Sequence, residues 1–288
     1  MNLDHFGMDT ITLAGPLEAK LRAVREARFT QIMLNASDIV GHPEGEQAAI
    51  SAVKASGLRV TGFQVLRDFE GLDGHLHAYK VDVAKAMLEM CRALGSRVLL
   101  VCSSASPHAS DDAERLARDL RKLAMLAVPL DIRIAYEALS WGRHVNEFPQ
   151  AWELVARAER HNLGLALDSF HIIATGTALD ALEEIDPRKI FLMQLSDFLW
   201  QETRSPNERM ETARHSRVFP GEGVHSEKVI ELVRALDAMG YRGDYSFEVF
   251  NDDYRQLPLP VVAERARRSV KWITGRVGRW TLPARRRA

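Results

Sequence analysis

Short apolar runs that are typical of β-strands alternate with helix-like runs along the whole chain, and this alternation constrains the fold more than any other feature of the sequence. The strand-like runs are TITLAG (10–15), FTQIMLN (29–35), LRVTGFQVL (58–66), RVLLVCS (97–103), DIRIAYE (131–137), LGLALDS (163–169), KIFLMQL (189–195) and DYSFEVF (244–250). Parallel strands need a crossover connection, which is usually a helix. Eight such units in 288 residues therefore predict an α/β fold, the (β/α)8 TIM barrel.

The helix-like runs have recognisable beginnings and ends. They cover 16–27, 44–56, 74–94, 111–127, 147–162, 178–185, 226–239 and 258–274. Gly57 follows the second run, as glycine often does at the end of a helix, and Asp111 or Ser110 is expected to cap the fourth. A doubly wound open sheet is the alternative architecture. It usually has fewer strands and often a G-x-G-x-x-G loop, and that motif does not occur in this sequence.

The composition favours one domain and argues against several classes of function. Residues 1–276 are predicted to form a single domain, and the basic segment 277–288 is expected to be a frayed tail. The 38 basic and 39 acidic residues give a net charge of −1, so no nucleic-acid partner is expected. No run approaches the length of a membrane span, and the first residues, MNLDHFGMDT, lack the basic start and apolar stretch that are typical of a signal peptide. Cys91 and Cys102 make no disulfide framework, so a cytoplasmic location is expected, and assembly as a homo-oligomer stays open.

One oxygen-bearing side chain lies at the end of each of the last four strand-like runs. These residues are Glu137, Asp168, Gln194 and Glu248. The carboxyl ends of barrel strands meet at one mouth, together with the loops that follow them, including the longer loops 66–75, 138–147 and 196–225. Three carboxylates and one amide predict a site for a hard divalent cation, Mg²⁺, Mn²⁺ or Co²⁺. The alternative is a structural network of polar side chains without metal.

Two histidines are candidates for proton transfer near this site. His171 follows Asp168 by three residues, so it can enter the same cavity from the turn after the sixth strand, as a general base or acid. The alternative for His171 is a supporting hydrogen bond. His144 lies on the loop after the fifth strand and is the weaker candidate, because an ordinary loop histidine explains it equally well.

Three arginines on strand-end loops indicate an anionic substrate. Arg67 follows the third strand, and Arg214 and Arg217 lie in the long loop after the seventh. Arginine binds carboxylates through two parallel hydrogen bonds, although a surface role for any one of them stays open. Cys102, at the end of the fourth strand, has no base assigned to it and is expected to be a buried structural cysteine rather than a nucleophile.

Seven stretches together resemble the bacterial 3-dehydroshikimate dehydratases, a family within the xylose isomerase-like superfamily of barrels. The stretches are LRDFEG, LLVCSS, YEALSWGRHVN, LDSFH, IFLMQLSDF, RVFPGEG and SFEVFND, spread over about residues 62–253. The resemblance implies a xylose isomerase-like TIM barrel and a metal held by the four strand-end donors. It also implies that Arg67, His171 and Arg217 face the substrate.

The activity that the resemblance implies is that of a hydro-lyase, which converts 3-dehydroshikimate to protocatechuate in quinate and shikimate breakdown. The metal would act as a Lewis acid on the ketone, His171 would move the proton beside it, and Arg217 with Arg67 would hold the ring carboxylate. No organic cofactor is needed.

Alternative functions stay open on the same scaffold. A sugar or inosose isomerase, epimerase or dehydratase would act on a neutral polyol and would not need the arginines. Related epimerases and inosose dehydratases commonly have a histidine where this chain has Gln194. Ala213 stands where the dehydratase pattern often has a serine, so one substrate hydrogen bond of that pattern is expected to be missing. A nuclease would need more histidine ligands and a basic face, and a non-catalytic binding protein would tolerate loss of the metal.

Overall fold

Eight parallel strands close into a barrel in the computed structural model, which describes residues 3–278. In chain order the strands are β1 (Phe6–Asp9), β2 (Gln31–Asn35), β3 (Arg59–Arg67), β4 (Val98–Cys102), β5 (Arg133–Glu137), β6 (Leu163–Asp168), β7 (Ile190–Leu195), β8 (Asp197–Phe198), β9 (Arg217–Val218) and β10 (Tyr245–Phe247). Strands β1 to β7 and β10 form the barrel, in the order β1-β10-β7-β6-β5-β4-β3-β2. The predicted TIM barrel is confirmed.

Helices surround the barrel, and most of them lie in the predicted helix-like runs, whereas those at Ala36–Val40, Ser169–Thr175 and Pro206–His215 were not predicted. The helices are α1 (Leu17–Glu26), α2 (Ala36–Val40), α3 (Glu46–Ser56), α4 (Gly74–Leu94), α5 (Ala113–Ala127), α6 (Phe148–Ala158), α7 (Ser169–Thr175), α8 (Pro206–His215), α9 (Ser226–Ala238) and α10 (Leu259–Val277). Gly57 ends α3 in the left-handed conformation, as its position in the sequence predicts. The cap of α5 is Asp112, so the expectation of Asp111 or Ser110 was wrong by one residue. The run at 178–185 is a 3₁₀ helix, Leu179–Glu184.

The first strand was predicted at the wrong place. The structure has β1 at Phe6–Asp9, and the expected strand at 10–15 begins with a 3₁₀ turn, Thr10–Thr12. The Asp9 side chain accepts a hydrogen bond from the Ile11 backbone and so caps this turn. An Asp that bonds its own backbone two residues on competes with strand formation, and it ends the strand here.

The long loop at 196–225 contains structure that the sequence prediction missed. Ser205 and Glu208 form a capping box at the start of α8, and β8 pairs with β9 in an antiparallel ribbon. This excursion carries Arg217 back to the barrel mouth, because Arg217 is the first residue of β9.

Two apolar layers stabilise the barrel. Met33, Val98, Leu100 and Leu192 belong to a small cluster of strand residues that is separate from the main core, as expected for side chains that fill a barrel interior. The main core packs the strands against the helices. Cys91 and Cys102 are buried and free. In residues 3–278, no helix has the length and apolar character needed to cross a membrane. The predicted tail begins at the last residue of α10, and 279–288 lies outside the described residues.

Candidate metal centre and active site

The four predicted oxygen donors converge at the carboxyl end of the barrel. Glu137, Asp168 and Gln194 lie at or next to the ends of β5, β6 and β7, and Glu248 follows β10 directly. Asp168 pairs with Gln194 in the register of β6 and β7. All four side chains are buried. Parallel strands therefore deliver these donors to one mouth, as their positions in the sequence predict.

Two oxygen atoms of this cluster lack a hydrogen-bond donor among the described residues. Within residues 3–278, Oε1 of Glu137 and Oε1 of Gln194 are buried and have no hydrogen-bond partner. The other Glu137 oxygen accepts from the Cys102 thiol at 3.0 Å. Ligand atoms of Glu137, Asp168 and His171 lie within 4.8 Å of one another. Unsatisfied buried acceptors are costly, so the partnerless oxygens of Glu137 and Gln194 fit a divalent cation.

The electrostatics of the buried carboxylates also favours a bound cation. Burial raises the pKa of Glu137 well above its ordinary value, and the charges of Asp168 and Glu248 raise it further. Burial raises the pKa of Glu248 to about 7, even though Arg217 acts in the opposite direction. A cation between these carboxylates would favour their ionised forms.

Arg217 lies against the metal-donor carboxylates. The side chain is buried, and Nη1 donates to Oδ2 of Asp168 at 2.6 Å and to Oε2 of Glu248 at 3.0 Å. Nε donates to the Ala213 carbonyl, and the guanidinium lies 4.6 Å from the centre of the Phe170 ring. The sequence analysis expected Arg217 to hold the substrate carboxylate. In the structure these hydrogen bonds go to protein groups, and the residue also lines the cavity.

His171 is buried in the first turn of α7, beside Asp168. Its Nε2 is 3.8 Å from Oδ2 of Asp168, and its Nδ1 is 3.0 Å from the Ser140 hydroxyl and 3.2 Å from the Ser140 backbone nitrogen. Burial lowers the pKa of His171 to about 3, so the imidazole is neutral at neutral pH. The Trp141 ring packs edge-on against it, with 5.0 Å between ring centres.

A cavity of about 370 Å³ opens beside this cluster, and its lining includes Glu137, His171, Arg217 and Glu248. Arg67 and Arg214 also line it, and both are exposed at its mouth. The Arg214 guanidinium lies 6.0 Å from the Trp141 ring centre.

His144 is not brought into this cavity. Its Nε2 bonds to the Ala109 carbonyl at 3.0 Å, on a neighbouring loop. The structure therefore gathers eight of the nine predicted site residues at the mouth or in the cluster behind it, and leaves His144 apart.

Comparison with known proteins identifies the family. The model of the xylose isomerase-like TIM barrel family matches residues 21–275. The chain belongs to this family.

Two curated relatives differ in their named activity. A 3-dehydroshikimate dehydratase of Pseudomonas aeruginosa is 36% identical over 265 residues, which is 92% of this chain and 41% of the relative. This chain therefore spans about two fifths of that relative's length. An inosose isomerase of Bacillus subtilis is 28% identical over 215 residues, which is 70% of this chain and 71% of the relative.

Solved structures agree on the xylose isomerase-like barrel. A xylose isomerase-like TIM barrel/4-hydroxyphenylpyruvate dioxygenase fusion protein superposes with a TM-score of 0.87 at 33% identity, over 94% of this chain and 42% of that one. The IOLI protein, crystallised with a zinc atom, has a TM-score of 0.80 at 21% identity, over 93% and 97% of the two chains.

Several polar residues of this xylose isomerase-like site were missed from the sequence. Gln64 lines the cavity from inside β3, and Asp9 is buried at the end of β1. The available signal for Gln64 was a polar residue within an apolar strand-like run. Asp9 gave no such signal, because the first strand was predicted at 10–15 and Asp9 lay before it. Cys102 lines the cavity with its thiol on Glu137, and burial raises its pKa well above the ordinary value, which favours a structural thiol.

Proposed function

We propose that this chain catalyses the metal-dependent dehydration of 3-dehydroshikimate to protocatechuate, a hydro-lyase reaction of quinate and shikimate breakdown. The observation that carries the proposal is one cavity lined by buried carboxylates and three arginines, which suits a cation and an anionic substrate together. The 36% identity to a 3-dehydroshikimate dehydratase supports the choice among anionic ring substrates.

A divalent cation would be held by the four strand-end donors, Glu137, Asp168, Gln194 and Glu248. The oxygens of Glu137 and Gln194 that have no partner in residues 3–278, and the raised pKa values of Glu137 and Glu248, support this assignment. Such a cation, Mg²⁺, Mn²⁺ or Co²⁺, would supply Lewis-acid polarisation of the substrate ketone. The zinc in the IOLI structure adds Zn²⁺ to the ions worth testing.

His171 would transfer the proton in this reaction. It would take the proton beside the ketone and deliver it to the departing hydroxyl, so that one molecule of water leaves. A neutral imidazole with a free Nε2 must carry its own proton on Nδ1, and the Ser140 hydroxyl at 3.0 Å can accept it. The Ser140 backbone N–H favours the opposite tautomer, so Ser140 offers Nδ1 both a donor and an acceptor.

The arginines would hold the substrate carboxylate. Arg67 and Arg214 are exposed at the mouth and can reach an entering anion. Arg217 would contribute from below while it balances Asp168 and Glu248. A fixed guanidinium suits a planar carboxylate better than an ammonium does.

The test is incubation of the purified protein with 3-dehydroshikimate after separate loading with each of the four ions. The expected result is an aromatic product, followed by ultraviolet absorbance, with no product after chelation. Glu137→Gln in the same ion is the matched control. If no product forms with all four ions tested in turn, the proposed activity is rejected.

An isomerase of inosose or a related polyol is the second candidate, supported by the 28% identity to an inosose isomerase. The same protein samples should be offered a neutral inosose. Turnover of the inosose without turnover of 3-dehydroshikimate would make this second function the better one.

A further inference from the structure

A chain of side-chain hydrogen bonds runs from Asp9, at the end of β1, through Gln64 to Gln194. Asp9 is fully buried, and its Oδ1 accepts from the Ile11 backbone at 3.0 Å while its Oδ2 accepts from Nε2 of Gln64 at 2.6 Å. Nε2 of Gln194 then lies 3.5 Å from Oε1 of Gln64, at the limit of a hydrogen bond. Oε1 of Gln194 ends the chain with no partner in residues 3–278.

The direction of this chain is fixed by its first member. Both Asp9 oxygens face nitrogen donors, which is the arrangement of an ionised carboxylate, and such a group can only accept. Burial and the charge of Glu248 raise the pKa of Asp9 well above its ordinary value, so the two N–H donors are what favours the ionised form here. Gln64 must therefore turn its NH2 group toward Asp9 and its oxygen toward Gln194. That oxygen accepts from the NH2 group of Gln194, so the Gln194 oxygen is turned away from Gln64.

We propose that Asp9 is a positioning residue which, through Gln64, orients the Gln194 amide so that its oxygen is offered to a divalent cation. The inference rests on the metal site of the proposed function, and it adds two residues that act on a ligand without touching the ion. An amide ligand needs such orientation because only one of its two ends can bind a cation, whereas a carboxylate can bind through either oxygen.

Asp9→Asn is the sharpest test because it replaces one carboxylate oxygen by an NH2 group and changes little else. The Ile11 N–H still requires an oxygen acceptor, so the introduced NH2 group must face Gln64. Gln64 then either reverses, and reverses Gln194 with it, or loses the contact. The expected result is at least about tenfold weaker Mn²⁺ binding in titration calorimetry, the order of loss typical for an outer partner of a metal ligand.

Rescue separates orientation from general damage. Gln194→Glu alone places a carboxylate against the Gln64 oxygen and should also weaken Mn²⁺ binding. In Asp9→Asn/Gln194→Glu the reversed Gln64 amide donates to the new carboxylate, which still offers an oxygen to the ion. The double variant should therefore bind Mn²⁺ more tightly than either single variant, which a merely structural role of Asp9 would not produce.

Asp197→Asn is the matched control, because Asp197 is buried and accepts from Phe198, His225 and Ser226 rather than from the cluster. It should leave Mn²⁺ affinity within about twofold. Gln64→Met provides a second variant if Asp9→Asn does not fold, and several-fold weaker binding is expected from it.

Each outcome has one interpretation. Wild-type affinity in Asp9→Asn or Gln64→Met would overturn the inference, as would a double variant weaker than both single variants. A wild-type protein that binds no divalent ion would overturn both the metal site and the positioning role of Asp9. Normal Mn²⁺ binding without dehydration would reject the proposed reaction. The Mn²⁺ affinities of the variants would then still test the positioning role of Asp9.

Discussion

Arg217 places one guanidinium nitrogen against two of the acids proposed as metal ligands. The ion pairs of Arg217 with Asp168 and Glu248 are buried, so removing the guanidinium leaves negative charge without a partner. Arg217→Met should therefore lower the free energy of unfolding of metal-free protein by about 3 to 5 kcal/mol. Urea unfolding in chelator measures this loss.

The matched control is Arg214→Met, which removes an exposed arginine from the same cavity and should change stability little. Arg217→Lys keeps the charge and loses the fork geometry, so kcat/KM for 3-dehydroshikimate should fall by about tenfold or more. An equal stability loss from Arg214→Met and Arg217→Met would contradict the buried-pair argument.

His171→Ala tests the assignment of the proton carrier. A positioned acid or base contributes about two decades or more to the rate, so kcat should fall by at least that much while metal content is retained. Rates and metal analysis are measured on the same samples. His144→Ala is the control, since His144 bonds to a neighbouring loop outside the cavity, and it should keep nearly full activity. A loss below about fivefold in His171→Ala would transfer the role elsewhere.

The residues at the site differ in how readily the sequence reveals them. Glu137 and Asp168 could be predicted because strand ends of a parallel barrel meet at one mouth, so position along the strand is enough. Gln64 and Asp9 could not be predicted, because the role of each depends on a partner far away in the chain. Asp9 and Gln64 themselves are 55 positions apart. The contact of Arg217 with Asp168 depends on the same kind of long-range geometry.

The start of α5 allows a clean test of local structure. Asp112 accepts hydrogen bonds from the backbone nitrogens of Glu114 and Arg115, whereas the sequence analysis predicted Asp111 or Ser110 as the cap. Asp112→Ala should lower the free energy of unfolding by about 1 kcal/mol, the usual cost of a lost N-cap. Asp111→Ala should cost less than half as much in the same denaturant titration. The reverse ranking would restore the original prediction.

Element boundaries of this kind are hard to read because adjacent Ser110, Asp111 and Asp112 are all good caps by residue type. The β8–α8–β9 excursion was missed for a different reason. Its capping box of Ser205 and Glu208 is a local signal that could have been found, but the pairing of β8 with β9 joins residues about twenty positions apart.

Glu70 links the loop after β3 to the loop after β4, and it should make stability depend on pH. Its Oε1 accepts from the Ser104 backbone at 2.6 Å and the Tyr136 hydroxyl at 2.8 Å, while burial raises its pKa to about 7. The folded protein thus holds a proton that the unfolded chain releases near pH 4.5. The stabilisation is fully present below that pH and is lost as the pH rises through about 7.

Glu70→Gln keeps the shape and removes the titration. The free energy of unfolding of the wild type, relative to this variant, should fall by about 3 kcal/mol between pH 4.5 and 8, from roughly 1.4 kcal/mol per pKa unit. Denaturant unfolding at several pH values measures the difference. A constant difference across this range would mean that Glu70 is ionised throughout.

At the scale of the whole molecule, alternation of strand and helix was enough to predict the barrel, because eight consecutive crossover units leave few other closed arrangements. No single segment of the sequence shows that the sheet closes into a barrel. The pairing of β1 with β10 joins Phe6 to Tyr245, and the first strand was misplaced because its own residues, FGMD, carry little strand signal beside the more apolar 10–15.

The donor cluster ties the stability of the whole barrel to metal. An ion that binds the folded state alone adds RT ln(1 + [M]/Kd), about 2.7 kcal/mol at a hundredfold excess over Kd. Mn²⁺ should therefore raise the free energy of unfolding of wild-type protein by this amount. It should have a much smaller effect on Glu137→Gln, which loses a charge from the cluster. Glu153→Gln, on the exposed face of α6, is the control and should respond as the wild type does.

The same gain should depend on pH, since the ion must displace protons. The pKa of Glu248 is raised to about 7, so below pH 7 Glu248 is mostly protonated in the metal-free folded state. The pKa of Glu137 is raised well above its usual range by burial and by Asp168 and Glu248, which favours its protonated form as well. Metal binding then releases protons, and the stabilisation by a fixed Mn²⁺ concentration should shrink as the pH falls from 8 to 5.5. Thermal unfolding with and without Mn²⁺ at each pH measures it. A gain that is constant over this range, or equal in Glu137→Gln and wild type, would place the ion outside the cluster of Glu137, Asp168, Gln194 and Glu248.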